Sequence, residues 1–182
     1  MTVPYQADQQ VPPKYNLMNL TTGETNEILA DSSLKPVSFD WALDDTGFYI
    51  SNFYSTHPKY TFAGVMKIYW YPLDTGKYRE VDLQWERYGG FLTPTPDGFI
   101  SPLPDGVYYK YARYTKKGDS WTRQWIQNDR QKNIGNFRLA EDGKTMIYEY
   151  STSSMPPRYY LAELKGDRFT REIEVLDIDS PL

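Results

Sequence analysis

Two kinds of glycine turn alternate along this chain, and their spacing limits the fold more than any other feature. One kind reads Asp44-Asp45-Thr46-Gly47, Thr95-Pro96-Asp97-Gly98 and Ala140-Glu141-Asp142-Gly143, with its glycines 51 and 45 residues apart. The other reads Thr21-Thr22-Gly23-Glu24, Asp74-Thr75-Gly76-Lys77, Lys116-Lys117-Gly118-Asp119 and Leu164-Lys165-Gly166-Asp167, with glycines 53, 42 and 48 residues apart. Glycine supplies positive φ in a tight hairpin, and a neighbouring Asp or Thr supplies local hydrogen bonds. Two interleaved turn types with a period of roughly 40–50 residues are the pattern of four-stranded propeller blades.

The segments between the turns read as strands. Tyr49–Phe53, Met66–Tyr71, Val107–Tyr111 and Met146–Tyr150 are short runs of aromatic and β-branched residues, which suit a pleated, half-buried surface. From Phe169 to Val175 the pattern alternates, with Phe169, Arg171, Ile173 and Val175 on one face and Thr170, Glu172 and Glu174 on the other. Val81, Leu83 and Trp85 alternate in the same way. No segment of helix length carries a 3.6-residue period. The chain therefore reads as all-β.

Counting strands between turns gives two in residues 14–29 and four in each of 36–86, 90–127 and 134–176. That is fourteen strands, or three and a half blades, between an N-terminal extension (1–13) and a C-terminal tail or linker (177–182). A fourteen-stranded sandwich or barrel fits the turn spacing too. The order inside each repeat, an Asp-Gly turn, a longer loop and then a second glycine turn, favours blades. Propellers close with about four to eight blades, so this is a partial propeller whose open edges invite association.

Composition narrows the chemistry. The 182 residues include no cysteine and a single histidine, His57. Disulfides, thiolate metal sites, cysteine nucleophiles and two-histidine schemes are all excluded. Thirty aromatic residues (5 Trp, 17 Tyr, 8 Phe) argue for a packed core rather than disorder. A net charge of −4 lacks the basic field of a nucleic-acid binder. The run Arg123 to Lys132, interrupted by Asp129, reads as a solvated edge. No apolar run approaches the ~20 residues of a membrane span. Met1 to Pro13 carries no signal-peptide pattern, which leaves the cytoplasm as the default compartment.

Catalytic motifs are absent from the sequence. It holds no Gly-x-Ser-x-Gly, no His-x-x-His, no calcium-loop pattern and no phosphate-cradling glycine loop. The Asp residues of the turns have a structural reason to be there, and no convergent acid pair of the glycosidase kind emerges. No cofactor and no metal site is expected. Trp41, Trp70, Trp85, Trp121 and Trp125 read as packing between blades. Asn19-Leu20-Thr21 matches the glycosylation acceptor triplet.

In a four-stranded meander the 1→2 and 3→4 turns share one face, and the 2→3 loops and 4→1 crossovers share the other. The first face carries the tight glycine turns. The second carries Ser55–Phe62, Glu86–Gly90, Asn128–Asn133 and Ser151–Pro157. Binding residues concentrate on loops held by a rigid scaffold, so this long-loop face supplies the candidates: Glu86, Arg87, Tyr88, His57, Tyr60 and Arg130. Glu86 beside Arg87 at a crossover reads either as a substrate-facing pair or as a surface ion pair.

Phe39-Asp40-Trp41-Ala42-Leu43-Asp44-Asp45-Thr46-Gly47-Phe48-Tyr49-Ile50 places an aromatic strand before an Asp-Gly turn and a second apolar strand. In the last repeat, Phe137–Lys144 leads into Ile147–Tyr150. The Ser-rich stretch Ser151–Ser154, Pro156-Pro157, the tyrosine strand Arg158–Leu161 and the turn Leu164-Lys165-Gly166 follow. This combination resembles the propeller of the prolyl oligopeptidase family of serine peptidases, which includes dipeptidyl and acylaminoacyl peptidases. The resemblance implies a filter: a propeller that docks on an α/β-hydrolase catalytic domain and admits small or unfolded peptide substrates. It implies no catalytic residue in this sequence, which holds none of the Ser-Asp-His triad and ends near where such a domain would begin. The alternative is a stand-alone module of the same repeat, binding a protein or peptide on its long-loop face.

Open blade edges predict self-association of the isolated chain. Light scattering at micromolar concentration should report species larger than a monomer; a stable compact monomer would contradict this reading.

Overall fold

The computed structural model describes residues 13–30, 32–60, 63–130 and 133–177, which fall into two compact units, Met1–Leu34 and Lys35–Leu182. The N-terminal extension through residue 12, loop positions 61–62, crossover positions 131–132 and the tail from residue 178 lie outside the described residues. In the first unit, β1 (Tyr15–Met18) pairs antiparallel with β2 (Thr25–Ile28). Asn19 holds their turn together, its Oδ1 accepting the backbone N–H of Thr21 at 2.9 Å and of Thr22 at 3.2 Å. The acceptor triplet of the sequence is thus also a turn device.

The second unit consists of three four-stranded antiparallel sheets. Blade 1 is β3 (Pro36–Trp41), β4 (Gly47–Ser55), β5 (Gly64–Pro72) and β6 (Arg79–Glu80). Blade 2 is β7 (Thr93–Thr95), β8 (Gly98–Asp105), β9 (Tyr108–Lys117) and β10 (Ser120–Trp125). Blade 3 is β11 (Ile134–Leu139), β12 (Thr145–Thr152), β13 (Met155–Lys165) and β14 (Arg168–Asp177). Each blade is a simple meander with neighbouring strands hydrogen-bonded in sequence order. The all-β, four-stranded reading of the sequence is what the structure shows.

Two cores hold the blades together. Between blades 1 and 2 lie Tyr49, Ile68, Trp70, Phe99, Leu103, Ala112, Tyr114 and Trp121. Phe99 stacks on Tyr114 with ring centroids 4.6 Å apart and meets Tyr49 edge-on at 5.0 Å. Between blades 2 and 3 lie Ile100, Tyr111, Phe137, Met146, Tyr148, Tyr160, Ala162 and Leu164. The period of two explains the division: Phe99 and Ile100 are adjacent in β8 and point to opposite faces of the sheet. Of the five tryptophans, Trp70 and Trp121 are buried between blades, Trp85 and Trp125 pack against the rim of that core, and Trp41 is half exposed.

The Asp-Gly turns do not all need glycine for one reason. Asp45, not Gly47, takes the positive φ in the first turn. Gly47 is required because a Cβ there would lie 2.3 Å from the Tyr71 carbonyl oxygen. Gly143 has φ +65°, and a Cβ there would lie 2.4 Å from Pro96 Cδ in the equivalent turn of blade 2. Turn therefore docks on turn across the blade boundary.

Four local expectations change. Ser151–Pro157 is no long loop: β12 and β13 run through it and leave only Ser153-Ser154 as a turn. A tight Asp105-Gly106-Val107-Tyr108 turn joins β8 to β9, so Val107 tips a hairpin instead of starting a strand. Val81 and Leu83 are buried in the first core, but ladder pairing in β6 stops at Glu80. In β14 the alternation breaks at Arg171, which has φ +53° where the register with β13 shifts. This β-bulge turns Glu172 and Glu174 toward Tyr148 and Tyr160 and leaves Ile173 58% exposed.

Pro102 and Pro104 sit inside β8, where a missing N–H would break a ladder. β7 pairs only with Gly98–Ile100, so nothing on that side asks the prolines for a donor. The crossover from blade 1 occupies the gap. Trp85 Nε1 donates to the Pro104 carbonyl at 2.8 Å, and Ser101 Oγ donates to the Phe91 carbonyl at 2.9 Å.

Gly143→Ala combines backbone strain with the Pro96 clash and should destabilise the fold by about 1–3 kcal/mol. Gly118→Ala carries a positive φ with nothing within 4 Å and should cost less. Urea denaturation of the two variants checks the order.

Candidate functional site

The long-loop end of the second unit is built from the β4–β5 loop, the crossover between β6 and β7, the Gly106-Val107 turn, the crossover between β10 and β11, and the Ser153-Ser154 turn. The structure separates the six candidate residues along this end. His57 closes its own loop: Nδ1 accepts the N–H of Lys59 at 3.1 Å and of Tyr60 at 3.2 Å. Its ring lies 4.6 Å from that of Tyr60, which stays exposed. An imidazole nitrogen that accepts two backbone donors is committed to turn geometry.

Tyr88 points inward. It belongs to the core between blades 1 and 2, where its hydroxyl lies 2.9 Å from Ser51 Oγ. Burial pushes its hydroxyl pKa well above the ordinary tyrosine value, against the weaker opposing effect of the Ser51 hydrogen bond. The aromatic side chain follows the apolar demand of the core, which sequence position alone did not reveal.

Arg130 ties the second crossover to blade 3. Its Nη1 lies 3.2 Å from Glu172 Oε1 and donates to the Tyr148 hydroxyl at 3.2 Å, and its guanidinium sits 4.3 Å over the Tyr160 ring. Asn128 Nδ2 donates to the same Glu172 oxygen at 3.0 Å. Burial of Tyr148, with its hydroxyl donating to Glu172, pushes that pKa up to about 12. Burial pulls on the Arg130 charge, but Tyr148 and Glu172 outweigh it and hold the guanidinium above its ordinary value. This is an internally satisfied network.

Glu86 and Arg87 are different. Both are exposed, and among the described residues neither makes an ion pair or a side-chain hydrogen bond. They line a groove of about 810 Å³ with Gln84, Trp85, Pro104, Asp105 and Gly106. Its aromatic wall is held by ring contacts. Trp85 meets Trp125 edge-on at 5.1 Å, and the Arg123 guanidinium lies 5.4 Å and 4.6 Å from the two rings. Val107, 89% exposed at the hairpin tip, and Phe91, 72% exposed in the crossover, flank this region in sequence. The sequence held a sign of the Val107 hairpin, because Asp105-Gly106 repeats the turn pair used elsewhere.

The tight-turn end holds a charged groove as well. This groove of about 900 Å³ between blades 2 and 3 is lined by Asp97, Arg113, Asp142, Lys144, Glu163 and Lys165, among others. Arg113 Nη2 binds both Asp97 oxygens, at 2.8 and 3.0 Å, and Nη1 reaches the Gly166 carbonyl at 3.1 Å. From the other face of β9, Lys116 Nζ sits 3.8 Å over the Trp70 ring and 3.3 Å from Thr46 Oγ1. One strand thus grips the turns of both neighbouring blades. These cations serve blade contacts first. Among the described residues no cluster of three or more His, Asp or Glu has metal-site geometry.

No protein-family model matches the chain, and no curated protein matches it in sequence. Among solved structures it is similar to TolB from Acinetobacter baumannii, with 17% identity and a TM-score of 0.55. The fold is β-propeller-like. The match covers 87% of this chain and 37% of the TolB chain, so the sequence spans well under half of that protein's length. At this identity the likeness carries the architecture of repeated blades and assigns no family.

Burial would raise the Asp97 carboxyl, but the Arg113 and Thr95 contacts outweigh it and hold its pKa below the ordinary carboxylate value. A depressed folded-state pKa contributes stability above the unfolded value of about 3.8, and that contribution is lost as the pH falls through the folded value. Asp97→Asn should therefore be less stable than the wild type at neutral pH, with the gap narrowing below about pH 4. Urea midpoints measured across that range check the sign; a gap independent of pH would remove the ion pair from the account.

Proposed function

We propose that this chain is a non-catalytic propeller segment of a prolyl oligopeptidase-family serine peptidase, docking on an α/β-hydrolase domain and gating the access of peptides. One observation carries the docking part: among the described residues Glu86 and Arg87 stand unpaired, in a groove with an indole wall. Asp105, which lines the same groove, is paired with Lys110, and Arg130 in the next crossover is paired with Glu172. Unsatisfied charges of both signs beside apolar area, on a rigid support, are what a polypeptide surface needs from its partner. The peptidase context is supported by the blade motifs of Phe39–Ile50 and Phe137–Gly166.

The same groove serves a second reading, a stand-alone module that binds a protein or peptide. Exposed charges of both signs on a rim require only a polypeptide partner, and the β-propeller-like architecture similar to that of TolB supports it equally. In both readings the chemistry of bond cleavage belongs to other polypeptide, and the purified chain should turn over no peptide or ester substrate.

A photo-crosslinking side chain placed at Val107, with the protein expressed from its own gene, should capture polypeptide. The same group at Lys117, on the tight-turn end, should capture little. An adduct containing an α/β-hydrolase domain supports the peptidase reading, and an adduct with an unrelated protein supports the module. Equal capture at both positions would defeat the assignment of the long-loop end as the docking face.

A further inference from the structure

Among the described residues, the outer strand of blade 1 is only two residues long. In blade 2, β10 pairs with β9 along all six of its residues, and in blade 3, β14 follows β13 from Lys165 to Arg158. In blade 1, β4 pairs with β5 over nine residues, from Gly47↔Pro72 to Ser55↔Gly64, but β6 supplies only Tyr69↔Glu80 and Trp70↔Arg79. One more hydrogen bond, from Val81 N to the Ile68 carbonyl at 2.9 Å, ends the pairing. Beyond it the chain leaves the sheet. Asp82 Oδ1 accepts the N–H of Gln84 at 2.8 Å, Gln84 adopts φ +50°, and Trp85 anchors on Pro104.

The Val81–Ile68 bond fixes which backbone groups face outward. Backbone groups along a strand alternate between its two neighbours, so if Ile68 faces β6, Met66 and Gly64 face the same way. Among the described residues, their N–H and C=O groups lie on a stretch of edge without a ladder partner, about 13 Å long for four residues at ~3.3 Å each. Edges of this kind are templates for another strand. Here the edge also borders a recess of about 180 Å³ lined by Val65, Met66, Val81, Leu83, Glu86 and Tyr88, among others.

We infer that the outer edge of β5, from Gly64 to Lys67, receives an extended segment of a partner polypeptide as an added strand, with a basic side chain of that segment set against Glu86. Two features select this occupant. The guest strand continues a ladder that β6 has begun, in the one blade where the outer strand stops short. Of the acids on the recess, Glu80 is paired with Lys67 at 2.8 Å and Asp82 is used by the Gln84 N–H, which leaves the Glu86 carboxylate to be matched by a cation. Strand addition takes affinity from the main chain and specificity from the alternate side chains. This inference rests on the reading that the chain receives polypeptide, and it names the chemistry of that segment.

The probe is the capped peptide acetyl-Thr-Val-Lys-Val-Thr-amide, titrated into the isotopically labelled full chain. Saturating peptide should slow hydrogen exchange of the Gly64 and Met66 amides about tenfold or more. N-methylation of the peptide residues that face β5 should weaken binding about tenfold, as the loss of ladder hydrogen bonds requires. N-methylation of the alternate residues should change it less than about twofold, because those amides face solvent. Glu86→Gln should weaken the lysine peptide about threefold to tenfold and leave a norleucine analogue unchanged. Unchanged exchange at Gly64 and Met66, or equal binding of the two N-methylated peptides, would overturn the inference. Capture at Val107 would survive either result, so the two readings fail separately.

Discussion

Everything in the second unit depends on the burial of the β8–β9 pair on both of its faces. Phe99, Leu103, Ala112 and Tyr114 enter one core, while Ile100 and Tyr111 enter the other. A slip of one residue in this pair would exchange the two sets and send Arg113 and Lys116 to the wrong neighbours. Apolar packing and charge thus specify the same register. The Tyr111 hydroxyl adds a third specification by donating to the Gly135 carbonyl at 3.0 Å across the blade boundary. A blade buried on both faces needs no help from propensity to choose its alignment.

From that fixed centre the functional end follows. Because β8 is anchored on both faces, its far end, Pro102 to Asp105, projects beyond the reach of β7. The crossover from blade 1 lies in that space and is held there by Trp85 and Ser101. Glu86 and Arg87 ride on this anchored crossover, so they present charge from a rigid base. In the β4–β5 loop, His57 is tied locally, its ring occupied with backbone donors. Among the described residues, Glu86 and Arg87 on that crossover make no ion pair or side-chain hydrogen bond.

The blade pattern was legible because glycine turns and aromatic strands are local signals. Gly23, Gly76, Gly118, Gly143 and Gly166 all carry the positive φ that their turns imply. What the sequence concealed depends on neighbours far along the chain. Tyr88 looks like a loop residue until Ser51 is placed opposite it. Pro102 and Pro104 argue against a strand until β7 is seen to stop short. At the candidate site, Glu86, Arg87 and Tyr60 are exposed, whereas Arg130 turns inward to Glu172. An arginine in a crossover reads the same in sequence whether its carboxylate partner is internal or absent.

The bulge in β14 shows what that internal arginine decides. Read without interruption, Phe169, Arg171, Ile173 and Val175 would share a face, and Arg171 and Ile173 would press against Tyr148 and Tyr160. The strand as built spends Arg171 as an extra residue and offers Glu172 and Glu174 to those tyrosines instead. Two alignments are therefore written into the same seven residues, and alternation alone prefers the one not used. Arg130 favours the alignment that is used, since its ion pair with Glu172 and the hydroxyl bonds of Tyr148 and Tyr160 need the acids to face inward. The connector between two blades thus acts as a proofreader for the outermost strand of the next.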